Sequence, residues 1–202
     1  MDIEIAPGKR AHKAYSFDDI AIVPSRRTRT PEDVSTSWQI DAYQFELPLL
    51  AAPMDSVVSP DTAIAIGKLG GLGVLNLEGL WTRYDDPRIP LGEIASMPDK
   101  HATRRMQEIY SAPIRPELIK ERIKQIRDSG VTVAASLSPQ RTAQLHKAVI
   151  DAGVDIFVIR GTTVSAEHVA AESESLNLKK FIYELDVPVI VGGVATDKAA
   201  RE

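Results

Sequence analysis

From residue 48 onward, short apolar runs alternate with longer segments whose apolar residues recur every three to four positions. Pro48-Leu49-Leu50-Ala51-Ala52-Pro53 is a continuous apolar run, the pattern of a strand buried on both faces. Ser59-Pro60-Asp61 then predicts a helix start, with serine at the N-cap and proline at the first helical position. Ala63, Ile64, Ile66, Gly67 and Leu69 supply its apolar side, Gly70-Gly71 ends it, and residues 72–76 form a second strand. The same joint recurs along the chain. Residues 117–129 predict an amphipathic helix with Leu118, Ile119, Ile123 and Ile126 inward, followed by a third strand over 131–137. Helix 139–152 leads to a fourth strand over 154–159, and helix 176–185 to a fifth over 187–191. Gly130 and Gly153 stand where a left-handed residue closes a helix.

Strands that alternate with amphipathic helices imply βαβ units and a parallel sheet. Two architectures satisfy that: an open doubly wound sheet and a (β/α)8 barrel. Leu69-Gly-Gly-Leu-Gly73 precedes a strand rather than following one, so the dinucleotide fingerprint is absent in its proper context. The expectation is therefore an α/β protein of the TIM-barrel class. A complete barrel takes eight strands and typically about 250 residues. The expected content of this chain is about the first five strands, an incomplete barrel, with Lys198-Ala-Ala-Arg-Glu202 read as a helix cut in mid-course. Residues 1–47 carry little periodicity and are expected to be an extended N-terminal segment, leaving 48–202 as part of one barrel domain. Within that segment Phe17 to Val23 reads as extended chain stopped by Pro24, and Ser25 to Thr30 as a basic solvated loop.

Composition narrows the class further. The chain has 202 residues, 44% hydrophobic and 26% charged, a formal net charge of −4 and no cysteine. An acidic balance argues against a general nucleic-acid binder. The absence of cysteine excludes disulfides, thiolate metal sites and a cysteine nucleophile within these residues. No apolar run reaches the roughly 18 residues of a membrane span, and Met1-Asp2-Ile3-Glu4 lacks a signal-peptide core, so a cytoplasmic protein is expected. His12, His101, His146 and His168 show no metal spacing; His146 and His168 fall on the outer faces of predicted helices. Trp38 and Trp81 read as packing residues.

Three segments carry a resemblance. Tyr15-Ser-Phe-Asp-Asp-Ile-Ala-Ile-Val-Pro24, Leu47-Pro-Leu-Leu-Ala-Ala-Pro-Met-Asp-Ser-Val57 and Ala63-Ile-Ala-Ile-Gly-Lys-Leu-Gly-Gly-Leu-Gly-Val-Leu-Asn76 resemble the IMP dehydrogenase/GMP reductase family, in its order and at about its spacing. Ala152-Gly-Val-Asp155 and Pro188-Val-Ile-Val-Gly-Gly-Val194 resemble the entries to its fourth and fifth barrel strands. The short actinobacterial group of that family is the most similar in texture. The resemblance implies an NAD- or NADP-linked purine nucleotide reaction, IMP to XMP or GMP to IMP. It also implies a purine mononucleotide as substrate and a homo-oligomer, usually a tetramer, in the full-length protein. The family's nucleophilic cysteine follows the sixth strand, so the 202-residue chain alone is expected to be inactive. A catalytically silent nucleotide-binding paralogue is the alternative. Only about 40 residues separate Asn76 from Glu117, too few for the pair of regulatory modules that long dehydrogenases insert there.

Carried onto this chain, the resemblance places Met54, Asp55, Asn76, Gly192 and Gly193 at the substrate, and Arg160, Gly161 and Thr162 at the cofactor. Arg160 stands where the dehydrogenases end the fourth strand in an aspartate that holds the cofactor ribose. A guanidinium there favours a phosphate, such as the 2′-phosphate of NADP. The fifth strand ends Gly192-Gly193-Val194 where the family has Gly-Gly-Asn, which removes an amide near the substrate.

Overall fold

The structure, a computed structural model, describes residues 2–13, 15–23, 26–162, 164, 167–168 and 176–201. The chain divides into two units, Met1–Ser35 and Thr36–Glu202. In the first, β1 (Asp2–Ala6) and β2 (Lys9–His12) form an antiparallel hairpin around Gly8, whose φ of +73° suits glycine. The apolar segment expected to be extended opens instead with a 3-10 turn over Phe17–Asp19. The Asp19 carboxylate accepts from both the backbone N–H and the hydroxyl of Ser16, which bends the chain and holds that carboxyl below the usual range. Ile20, Ile22 and Val23 follow it, exposed. Pro24 and Ser25 lie outside the described residues.

The second unit opens with another hairpin that the weak periodicity conceals, β3 (Trp38–Ile40) and β4 (Tyr43–Phe45), turning at Asp41. The alternating elements then run β5 (Leu50–Ala51), α1 (Pro60–Lys68), β6 (Leu72–Asn76), α2 (Arg88–Ser96), α3 (Asp99–Tyr110), α4 (Pro116–Asp128), β7 (Ala134–Leu137), α5 (Pro139–Ala152) and β8 (Ile156–Arg160). A two-residue ribbon, β9 (Glu167–His168) with β10 (Leu176–Asn177), precedes α6 (Leu178–Tyr183), β11 (Val189–Gly192) and α7 (Asp197–Arg201). Four sequence expectations shift. The first strand shrinks to two residues between the prolines. Two helices, α2 and α3, fill the 40-residue interval. Asn177 caps α6 from within the expected helix, accepting from Lys180 N–H at 3.0 Å, and His168 lies in β9 rather than a helix.

The long sheet is parallel, in the order β5-β6-β7-β8-β11. That order never reverses. A doubly wound sheet reverses where its helices change faces; a barrel adds each strand on the same side of the last. The fold is therefore α/β, five consecutive strands of an incomplete TIM barrel. Alternate residues sort to its two faces. Leu75, Ala135, Leu137, Phe157 and Ile159 join Ala63 of α1, Ile119, Ile123 and Ile126 of α4 and Val149 of α5 in the larger core. The concave face gathers Leu72, Val74, Ala134, Ile156 and Val158, and hairpin β3–β4 closes over it with Trp38, Ile40, Tyr43 and Phe45. Trp38 stacks on Phe45 with centroids 4.5 Å apart and donates its indole N–H to Leu47 O at 2.7 Å. Both tryptophans pack, as expected, Trp81 against the larger core.

Close helix–sheet approach depends on small residues. A Cβ on Gly73 would sit 2.6 Å from the Ala63 Cα, so α1 lies directly on β6. Ser59 and Thr62 form a capping box at the start of α1, with Ser59 Oγ accepting from Thr62 N–H at 3.0 Å. Gly153 closes α5 in the left-handed region at φ +81°, and Gly130 adopts φ +80° just beyond α4. At the N-terminal end of the strands, Asp155 Oδ2 accepts from Val133 N–H at 2.8 Å while its Oδ1 accepts from the Tyr43 hydroxyl at 3.3 Å. One carboxylate thus ties hairpin and sheet together. Burial, aided by Asp155, pushes the Tyr43 phenol up.

His146 departs from its expected exposed face: half-buried on α5, its Nδ1 lies 2.9 Å from Thr142 O and its ring meets Phe181 edge-on at 5.2 Å. Among the described residues no helix is long and apolar enough to cross a membrane.

Among those residues β5 and β11 each pair with a single neighbour, leaving unpaired backbone groups on their other sides. Leu49, Leu50, Met54 and Val57 beside β5 are exposed. The purified 202-residue chain is expected to self-associate through these edges and to bind a hydrophobic dye. Light scattering reads the outcome, and a dye-free monomer of 22.1 kDa would contradict it.

Candidate functional site

In a barrel the chemistry sits where the strands end, because the loops there can vary without disturbing the core. Val74, Ala134, Val158 and Ile190 face the concave side, so two positions on Asn76, Arg160 and Gly192 end their strands, and Ser136 stands next to the end of β7, on that same side. Three of the eight sequence-derived site residues therefore share one rim: Asn76, Arg160 and Gly192.

The loop after β5 carries two more. Met54 is 46% exposed, and its carbonyl accepts from the amides of Val57 and Val58 at 2.9 and 2.8 Å. Asp55 turns the other way. Its Oδ2 accepts from the Leu80 N–H at 2.9 Å and from the Tyr110 hydroxyl at 2.7 Å. Its Oδ1 is buried and accepts no hydrogen bond among the described residues. Gly79 makes that burial feasible, since a Cβ there would stand 1.8 Å from Oδ1. Asp55 is thus built into the loop framework rather than presented at the rim.

A second carboxylate repeats the device one strand later. Asn76 Oδ1 accepts from Glu78 N–H at 3.1 Å, an Asx-type turn, and this sends Glu78 towards the loop after β7. There its Oε1 accepts from the Ser138 N–H at the start of α5, where Ser138's own hydroxyl makes no cap. A carboxylate at a helix N-terminus also meets the positive end of the helix dipole. Arg83 completes the framework, donating through Nε to Glu78 O at 3.0 Å and through its terminal nitrogen to Ala112 O. Burial and the nearby Arg141 charge lower its pKa, opposed by Glu78 and Asp55. Burial, then the hydrogen bond to Asp55, pushes the Tyr110 phenol well above its ordinary range.

The loops after β8 and β11 are joined by backbone alone. Gly161 N–H donates to Gly192 O at 2.8 Å, Gly193 N–H to Gly161 O at 2.7 Å, and Val164 N–H to Gly193 O at 2.8 Å. The Gly193 amide is committed there, while a Cβ on Gly192 would meet nothing within 4 Å. Arg160 and Thr162 are exposed beside them, and among the described residues Arg160 has no carboxylate partner. Residues 163, 165–166 and 169–175 lie outside the described residues.

Comparison with known proteins decides the family. The IMP dehydrogenase / GMP reductase domain model matches residues 14–202. The chain belongs to that family. An uncharacterized oxidoreductase of Mycolicibacterium smegmatis is 47% identical over 98% of this chain and 54% of its own length. A second, from Mycobacterium tuberculosis, is 48% identical over the same shares. The crystal structure of an IMP dehydrogenase/GMP reductase-like protein from Corynebacterium glutamicum superposes with a TM-score of 0.91, at 47% identity over 98% of this chain and 53% of that one. An inosine-5′-monophosphate dehydrogenase of Methanocaldococcus jannaschii matches 66 residues at 39% identity, 33% of this chain and 13% of its own length. The chain spans about half the length of the relatives it matches end to end. This is the barrel of an oxidoreductase family, and the resemblance read from residues 15–76 is borne out.

Sequence reasoning missed Glu78, Arg83 and Tyr110. Glu78 was legible in part, as an acidic residue two positions beyond a strand end and followed by glycine. Tyr110 and Arg83 were not, because their roles depend on a helical excursion that brings residue 110 back to residue 55.

The raised Tyr110 phenol has a pH consequence. Above about pH 10 the unfolded chain releases a proton that the folded chain retains, so stability falls as pH rises. Tyr110→Phe is expected to make this alkaline decline shallower, read as urea midpoint against pH between 9 and 12. Equal slopes in parent and variant would contradict the assignment.

Proposed function

We propose that the chain forms part of an NAD(P)-dependent purine nucleotide oxidoreductase acting on IMP or GMP. The observation that carries this reading is the rim itself: Asn76, an exposed Arg160 with no carboxylate partner among the described residues, and the open backbone at Gly192 share the concave edge of a family barrel. Asn76 offers amide chemistry to a base or ribose, and Gly192 admits a ligand where any side chain would stand in its way. Met54, exposed on the loop beside this edge, supplies a soft apolar surface for a purine face.

The residues present fit a dinucleotide cofactor. Arg160 is an exposed cation at a strand end, placed to bind an anionic phosphate. Gly161 and Thr162 follow it on the same loop. A bound nicotinamide would supply hydride acceptance or donation. Within this chain Arg160 orients by charge, and the Gly161–Gly192–Gly193 backbone pairing keeps the two loops at fixed separation. The nucleophilic cysteine of the family belongs to a later strand, so the 202 residues alone bind or orient but do not turn over. We extend the proposal to a cytoplasmic homotetramer, the usual assembly of the family, with no nucleic-acid or membrane partner.

The test uses a polypeptide carrying these residues within a complete barrel, assayed with IMP or GMP and either cofactor. Turnover with one of the two nucleotides is expected there, and none from the 202-residue chain. Arg160→Asp should raise KM for NADPH about tenfold while changing that for NADH little, as loss of one charge-assisted phosphate contact implies. Equal effects on both cofactors would show that Arg160 does not read the phosphate. No turnover with either nucleotide would point to a silent binding paralogue.

A further inference from the structure

We propose that Tyr110 is a positioning residue for the candidate nucleotide site: its hydroxyl, donated to Asp55, holds the loop after β5 in the conformation that presents Met54 at the rim. The proposal rests on the preceding reading of that rim as a nucleotide site.

Helices α2 and α3 form an excursion that leaves after the 3-10 turn at Leu80–Thr82 and returns before α4. Its two ends are tied together. Tyr84 donates its hydroxyl to Ile109 O at 2.8 Å, Arg115 N–H donates to Thr82 O at 2.8 Å, and Arg115 pairs with Asp85 at 2.8 Å. A second ion pair, Arg105 with Glu93 at 2.5 Å, joins α3 to α2. These bonds close the excursion upon itself. Among the described residues of α2 and α3, Tyr110 at the last position of α3 is the one whose side chain is seen to hydrogen-bond to the loop after β5.

That contact is the most exacting one in the loop. Among the described residues Asp55 has one oxygen with two donors and another, buried, with none. Asp55 is half-buried, and a carboxylate whose enclosed oxygen already lacks a donor is costly to leave with one fewer donor on the other. Without the Tyr110 hydroxyl, Asp55 gains by rotating out to water. The adjoining turn would loosen with it, because Met54 accepts from Val57 and Val58 across Asp55 itself. The excursion is therefore a brace: a change in α2 or α3 reaches the loop after β5 through this phenol, while Arg83 ties the excursion to the loop after β6.

Hydrogen exchange on the 202-residue chain tests this, with Tyr84→Phe as the matched control. That variant also removes one phenol hydrogen bond from the excursion, but none to Asp55. Tyr110→Phe is expected to speed exchange about tenfold at the amides of Val57, Val58 and Leu80, while Tyr84→Phe leaves them at the parent rate. Asp55→Asn, which keeps an acceptor, should fall between the two. Equal exchange in the two phenylalanine variants would overturn the proposal, as would acceleration spread evenly over the sheet in Tyr110→Phe. IMP is the probe for the second arm. Its dissociation constant should rise about tenfold in Tyr110→Phe and stay within about twofold in Tyr84→Phe. If the parent chain binds no IMP, the nucleotide reading fails for this chain and the exchange result alone decides the role of Tyr110.

Discussion

Barrel loops must be long enough to carry chemistry and rigid enough to aim it, and here two carboxylates reconcile those demands. Asp55, after β5, reaches the Leu80 amide in the loop after β6; Glu78, in that loop, reaches the Ser138 amide after β7. Each acid of one loop thus satisfies a backbone donor of the next. An amide turned inward at a strand end has no ladder partner, and a charged acceptor satisfies it more strongly than a neutral one. The stitch continues between β8 and β11 as reciprocal glycine backbone bonds. Asn76, Arg160 and Gly192 are held by this chain of contacts and by the sheet beneath.

The sheet is a platform because its two faces are filled differently. Helices press on one face through Gly73 and Ala63, where backbone meets backbone. A hairpin closes the N-terminal end of the other, its Tyr43 held by Asp155, which also takes the Val133 amide just before β7. Carboxylates therefore anchor both ends of the same strands. Replacing a buried isoleucine of α4, such as Ile123, by alanine would cost about 2–5 kcal/mol and loosen the platform, yet leave the rim chemistry in place.

How much of this was legible depended on range. Local patterns located α1 from Ser59-Pro60 and α5 from Pro139 to Gly153, because caps and prolines act within a few residues. Parallel order followed from strand–helix alternation, and the barrel from the missing fingerprint. The rim residues Asn76, Arg160 and Gly192 were legible since they end strands whose alternation fixes their side. What escaped was long-range or locally ambiguous. Tyr110 acts on a residue 55 positions away. Asp55, read as a substrate residue, turns inward to a glycine that admits it. The polar texture of α3 hid a helix whose charged residues pair with one another and with α2.

The account stands on the C-terminal rim being the nucleotide-binding face. A cavity of about 430 Å3 at the opposite end of the strands, lined by Gln44, Lys68, Ser129 and Thr132 among others, provides the contrast. Photolabelling with 8-azido-IMP followed by peptide mapping tests the claim directly. Label on peptides containing Met54, Asn76, Arg160 or Gly192, displaced by unlabelled IMP, is the expected result. Displaceable label on peptides around Lys68 or Thr132 would contradict the account.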